Sequence, residues 1–75
     1  MNDQMPQVHN SLGTVYSRTG RTHEAISELK RALELQPNSD ETLRRLGVAY
    51  RAAGQTDLAL DAIRQARQID IRITA

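Results

Sequence analysis

Seventy-five residues without a cysteine make one domain at most, and they exclude both a disulfide framework and a thiolate metal site. Ten basic and nine acidic side chains leave a formal charge of +1, too balanced to advertise a nucleic-acid or membrane surface, so any charged site must be local. The opening Met1-Asn2-Asp3-Gln4-Met5-Pro6 lacks a basic stretch followed by an apolar run, and nowhere do eighteen apolar residues follow one another; a soluble, cytoplasmic chain is expected.

Residues 1–5 read as a flexible polar tail. Pro6 suits a first helical turn, where its missing N–H matters little, and a first helix is predicted over Pro6–Arg18. Val8, Leu12, Val15 and Tyr16 form its inward stripe, while Gln7, Asn10, Thr14 and Ser17 line a polar face. Gly20 is placed to close this helix in the left-handed conformation, and Thr22 to cap the next, with Glu24 in its first turn. The second helix, 22–36, carries Ala25, Ile26, Leu29, Ala32, Leu33 and Leu35 inward and stops before Pro37. Ser39, or Asn38 with Glu41 as its partner, caps a third helix over 40–53. Gly54, Thr56 and Asp57 then repeat the turn and cap, and a fourth helix over 57–69 turns Ala59, Leu60, Ile63 and Ala66 inward.

Shifted by thirty-four residues, the chain matches itself. Leu12, Gly13, Tyr16, Gly20, Thr22, Ala25 and Ala32 fall on Leu46, Gly47, Tyr50, Gly54, Thr56, Ala59 and Ala66, and Ile26, Leu29, Lys30 and Leu35 fall on Leu60, Ile63, Arg64 and Ile69. Self-similarity at a fixed period of this length marks a solenoid unit. Glycine within a helix costs about 1 kcal/mol against alanine, so Gly13 and Gly47 imply that the paired helix comes close, opposite the small Ala25 and Ala59.

Together these residues, with His9, Pro37 and Leu43, resemble the tetratricopeptide repeat over residues 6–73. The resemblance implies an all-α fold of two helix-turn-helix hairpins, repeat 1 over 6–39 and repeat 2 over 40–73, stacked as a right-handed superhelix or α-solenoid, with 74–75 as a tail. His9 and Leu43 stand where the family often has tryptophan, and Leu29 and Ile63 where it favours an aromatic residue, which thins the core. Ile71 replaces the proline that closes the first copy, so the last helix either runs on or gives way to an extended segment at Ile69-Asp70-Ile71-Arg72-Ile73. Arg67 stands where the first copy has Leu33, as expected where no further repeat packs, and no solvating helix follows. Yet Leu58, Leu60, Ile63, Ile69, Ile71 and Ile73 leave the last helix too apolar for a wet face, which points to self-association or to cover by the remainder of a longer protein.

Chemistry has little support. His9 and His23 sit on different helices without ligand spacing, so neither a metal nor another cofactor is expected; His9 fills a packing place and His23 a solvated first turn. Glu24 with Glu28 and Asp57 with Asp61 place carboxylates at i and i+4, on faces expected to be solvated. No phosphate-binding loop and no serine with a histidine base is present in the pattern, so the chain is not expected to be an enzyme. The family resemblance places Gln7, Asn10, Thr14 and Ser17, with Glu41, Arg44, Val48 and Arg51, on a concave surface. Asn10 and Thr14 stand where family members that clamp a terminal carboxylate have lysine and asparagine, so that specialisation is not supported. Arg44 and Arg51 instead offer forked donors to an acidic segment, with Glu41 as a competing local partner. The leading expectation is a non-catalytic scaffold binding a protein or peptide in this groove. The alternative is a structural unit that oligomerises through its C-terminal face, and RNA binding is disfavoured by the weak net charge and the lack of an aromatic platform.

Overall fold

The computed structural model describes residues 5–74, with side chains described over residues 5–69. Four helices follow one another, α1 (Pro6–Arg18), α2 (Thr22–Leu35), α3 (Asp40–Ala52) and α4 (Thr56–Thr74). Of the tail expected over residues 1–5, residues 1–4 lie outside the described residues, as does Ala75, while Met5 is the capping residue of α1.

Helix ends follow local chemistry. α1 closes in a Schellman motif: Gly20 N–H donates to Ser17 O at 3.2 Å, Arg21 N–H to Tyr16 O at 2.8 Å, and Gly20 takes a φ of 81°. The second hairpin reproduces it. Gly54 N–H donates to Arg51 O at 3.0 Å and Gln55 N–H to Tyr50 O at 2.8 Å, with Gly54 at a φ of 79°. α2 ends at Leu35, because Gln36 precedes Pro37 and is pushed to an extended φ of −142°. α4 has Ile71 in place of that proline, and its backbone continues helical to Thr74 instead of stopping at Ile69 or turning extended.

Caps differ from expectation at two equivalent places, since Thr22 and Thr56 are the first residues of α2 and α4 and not the residues before them. Ser39 caps α3, its Oγ accepting from Thr42 N–H at 3.2 Å. Thr22, however, is the first residue of α2 and not its cap. The capping position belongs to Arg21, which makes no side-chain capping bond. Its guanidinium lies 5.2 Å from the centroid of the Tyr16 ring and 2.5 Å from Glu24 Oε2, which ties the turn together.

Packing runs α1 on α2, α2 on α3 and α3 on α4, so each consecutive pair is joined. Leu29, Leu43, Leu46, Ala49, Ala62 and Ala66 form the buried cluster, with Ile26, Leu33, Tyr50 and Ile69 packed around it. Gly13 and Gly47 are contact points within the hairpins. A Cβ at Gly13 would fall 2.7 Å from Leu29 Cγ, and one at Gly47 would fall 2.9 Å from Ile63 Cγ1. The helix axes approach closely here because no side chain intervenes.

The inward stripes are not all covered. Val8, Leu12 and Val15 on α1, and Leu60 and Ile63 on α4, keep large exposed areas, whereas Ala59 and Ala66 are buried as expected. The amphipathic pattern identifies a face that can be buried; a neighbouring helix must still be there to bury it.

Candidate functional site

α1 and α3 run beside each other at the open edge of the two hairpins, and a polar seam joins them. Thr42 is fully buried, and its hydroxyl donates to Asn10 Oδ1 at 2.9 Å. Since that proton is committed, the 2.9 Å contact with Ser39 Oγ is donated by Ser39. The cap of α3 is thereby tied to α1 by a chain of hydrogen bonds, which satisfies the one buried polar side chain among the described residues.

One turn further on, Arg45 crosses the seam. Its Nη1 donates to Thr14 Oγ1 and its Nη2 lies 3.3 Å from Glu41 Oε2, while Thr14 in turn donates to Asn10 O at 3.0 Å. The Arg45 Nε–H is buried and has no acceptor. A recess of about 380 Å³ opens above this network, lined by Gln7, Asn10, Ser11, Thr14, Glu41 and Arg45. Next to it a smaller hollow of about 160 Å³ is lined by Gly13, Thr14, Ser17, Arg18, Leu29, Arg45 and Val48. Thr14 and Arg45 belong to both.

Of the groove residues named from the sequence, Gln7, Asn10, Thr14 and Glu41 meet around the recess, and Ser17 and Val48 meet at the hollow. Arg44 and Arg51 are exposed on α3 and line neither; Arg44 Nη2 lies 3.4 Å from Asp40 Oδ2. Arg45 was not among the candidates. Its i, i+4 spacing from Glu41 was the available signal, but only the approach of α1 shows which of the two adjacent arginines enters the seam.

Glu28 corrects the expectation of a solvated carboxylate face. His9 Nδ1 donates to Glu28 Oε1 at 2.7 Å, and both side chains are largely withdrawn from solvent, so this pair links α1 to α2. Among the described residues no group of three His, Cys, Asp or Glu could hold a metal ion. On the opposite side, Leu58 lines an apolar cleft of about 470 Å³ with Leu33, Leu43, Leu46 and Tyr50. Leu60 and Ile63 stay exposed on α4, and Ile69 is already packed against the core. Ile71 and Ile73 lie outside the residues whose side chains are described.

The comparisons with known proteins agree with the fold. A family model described as tetratricopeptide repeat matches residues 4–72. Two Arabidopsis thaliana proteins are similar: "Protein CTR9 homolog", 34% identical over 61 residues, and "Tetratricopeptide repeat domain-containing protein PYG7, chloroplastic", 32% identical over 66 residues. The matches take in 81% and 88% of this chain but only 6% and 22% of those longer proteins. Among solved structures, "MamA MSR-1 C2" superposes with a TM-score of 0.89 at 32% identity, over 95% of this chain and 41% of that one. With two helical hairpins built from the same residues at a thirty-four-residue step, and a family match spanning nearly the whole sequence, this chain belongs to the tetratricopeptide-repeat family.

Proposed function

We propose that the α1/α3 groove binds a short protein segment bearing Asp, Glu or a terminal carboxylate. Tetratricopeptide repeats are in general non-catalytic protein–protein interaction modules, and the chain is one of them. The observation that carries the finer reading is the polar recess lined by Arg45 with Gln7, Asn10, Ser11, Thr14 and Glu41, a donor-rich concavity with no aliphatic residue in its lining. Arg44 and Arg51 extend the cationic character along the exposed face of α3, while Val48 supplies apolar contact. Asp40 and Glu41 already engage Arg44 and Arg45, so a ligand carboxylate exchanges one partner for another. Each such contact is partly exposed and contributes on the order of 1 kcal/mol, so affinity is expected to be roughly micromolar and to fall with salt.

The test is fluorescence anisotropy with acidic and basic peptide sets at two salt concentrations, on the native chain, Arg45→Ala, and Arg44→Ala/Arg51→Ala. Acidic peptides should bind the native chain several-fold better at low salt, and both variants should weaken them. Equal binding by native and variant chains, or a preference for basic peptides, would sink the groove reading.

A second reading, self-association through the C-terminal repeat face, is favoured by a different observation. Leu60 and Ile63 remain exposed at positions whose first-repeat counterparts, Ile26 and Leu29, are packed by α3.

A further inference from the structure

The two ends of the stack are made of the residues that already fit together in its middle. Within the chain, α2 is covered by α3. Leu29 on α2 is 1% exposed, but its counterpart one repeat later, Ile63 on α4, is 42% exposed. On the other side of the same junction Leu46 is 2% exposed, whereas its counterpart Leu12 on α1 is 38% exposed. Ala49, 2% exposed, corresponds to Val15 at 55%. α4 thus presents the α2 side of the internal junction without its cover, and α1 presents the α3 side.

We propose that a second copy of this chain covers each end, the α4 face of one copy seated on the α1 face of the next, as α2 sits on α3. This rests on the self-association reading above and names its two complementary surfaces. The charges single out this occupant. At the internal junction Leu33 and Leu58 line one apolar cleft together with Ala62. Shifted by one repeat, Leu33 becomes Arg67, Leu58 becomes Glu24 and Ala62 becomes Glu28. An aliphatic pair inside the chain is replaced between copies by a cation facing two carboxylates. Arg64, in the place of Lys30, adds a second cation on the tail side, and Arg31, in the place of Gln65, is the cation on the head side, 3.2 Å from Glu34. Glu24 and Glu28 keep their own partners, Arg21 and His9, which hold the two carboxylates in place at the head of the stack. Two copies meeting tail to tail would bring Arg67 against its like, and head to head would bring Glu24 and Glu28 together, whereas head to tail sets Arg67 against Glu24 and Glu28; Arg64 is already 3.7 Å from Asp61 on its own helix. Such a contact is heterologous and leaves both outer ends open, so assembly grows with concentration without closing at a dimer.

Sedimentation velocity across a concentration series tests this with Arg67→Glu and Glu24→Arg, both at exposed positions, and with circular dichroism to confirm that each variant folds. The native chain should show an average mass that rises past the dimer. Each single reversal should weaken association about tenfold. Mixing the two single variants should restore it, since the reversed tail of one meets the reversed head of the other, and so should both reversals in one chain. Leu12→Gln, also exposed, should weaken assembly from the head side alone. A chain that stays monomeric at every concentration overturns both this proposal and the self-association reading, leaving the end faces to a further hairpin of a longer protein. A discrete dimer indifferent to both reversals overturns the head-to-tail junction while self-association stands.

Discussion

Gly13 and Gly47 occupy the same position in the two repeats, yet the consequences of adding a methyl group should differ. At Gly13 the new Cβ would fall 2.7 Å and 2.8 Å from Leu29 Cγ and Cδ2, atoms of a side chain sealed in the core. At Gly47 the opposing atoms are Ile63 Cγ1 at 2.9 Å and Cδ1 at 3.3 Å, on a side chain that is partly in solvent and has room to turn away. Alanine gains about 1 kcal/mol of helix propensity at either site, while forcing a packed core apart costs about 1–3 kcal/mol. Gly13→Ala is therefore expected to destabilise by about 1 kcal/mol and Gly47→Ala to be close to neutral, as urea unfolding will show. The reverse order would mean that Leu29 yields more easily than its burial implies. Replacement by leucine should destabilise at both sites, since a whole side chain then enters the hairpin.

At the scale of elements, the two hairpins are joined on the groove side by the chain from Ser39 through Thr42 to Asn10, and not by apolar contact alone. Because Thr42 is fully buried, losing one partner strands a polar group, whereas losing both does not. Asn10→Ala is expected to cost about 1–2 kcal/mol. Thr42→Val also weakens the cap around Ser39 and should cost a comparable amount. The double variant should cost less than the sum by roughly 0.5–1.5 kcal/mol, since the same bond is removed twice. A double-mutant cycle by chemical denaturation measures this directly, and strict additivity would show that the seam does not couple the repeats. Arg45 and Glu41 lie beside this seam, so a peptide in the recess would be read by side chains whose backbone is already anchored across α1 and α3.

Among the described residues, the two end faces of the stack are open and six of the nine buried apolar residues are alanine (Ala25, Ala32, Ala49, Ala59, Ala62, Ala66). Alanine buries little surface, so hydrophobic stabilisation, at about 25 cal/mol per Å², is modest, and a chain this short buries only about 60% of its unfolded-chain surface. In a solenoid much of the stability resides in the junctions between repeats, and this chain has one such junction. Covering the ends should therefore matter. The thermal midpoint is expected to rise with protein concentration, because association binds the folded state alone. Differential scanning calorimetry over a hundredfold range would detect this, and Arg67→Glu should flatten the dependence. A midpoint independent of concentration in the native chain would indicate that the open faces tolerate water.

The helical class, the repeat step, the left-handed glycine turns and the close approach at Gly13 and Gly47 were legible in the sequence, because each is written in local chemistry or in the period itself. Ser39 as a cap and Pro37 as a stop belong to the same category, whereas Ile71 in place of proline left α4 open to running on or turning extended, and the structure has it helical to Thr74. What only the tertiary structure decided is which neighbours meet. Val8, Leu12 and Val15 form a stripe as regular as that of α3, but α3 has α2 against it and α1 has no helix on that face among the described residues. Arg44 and Arg45 are adjacent and chemically identical, and about 100° of helical rotation separates the one that stays in solvent from the one that enters the seam. Glu28 reads as a surface carboxylate until α1 brings His9 to it. Amphipathic periodicity records the faces a helix can bury, whereas the number and placement of its neighbours are long-range properties, which no local window contains.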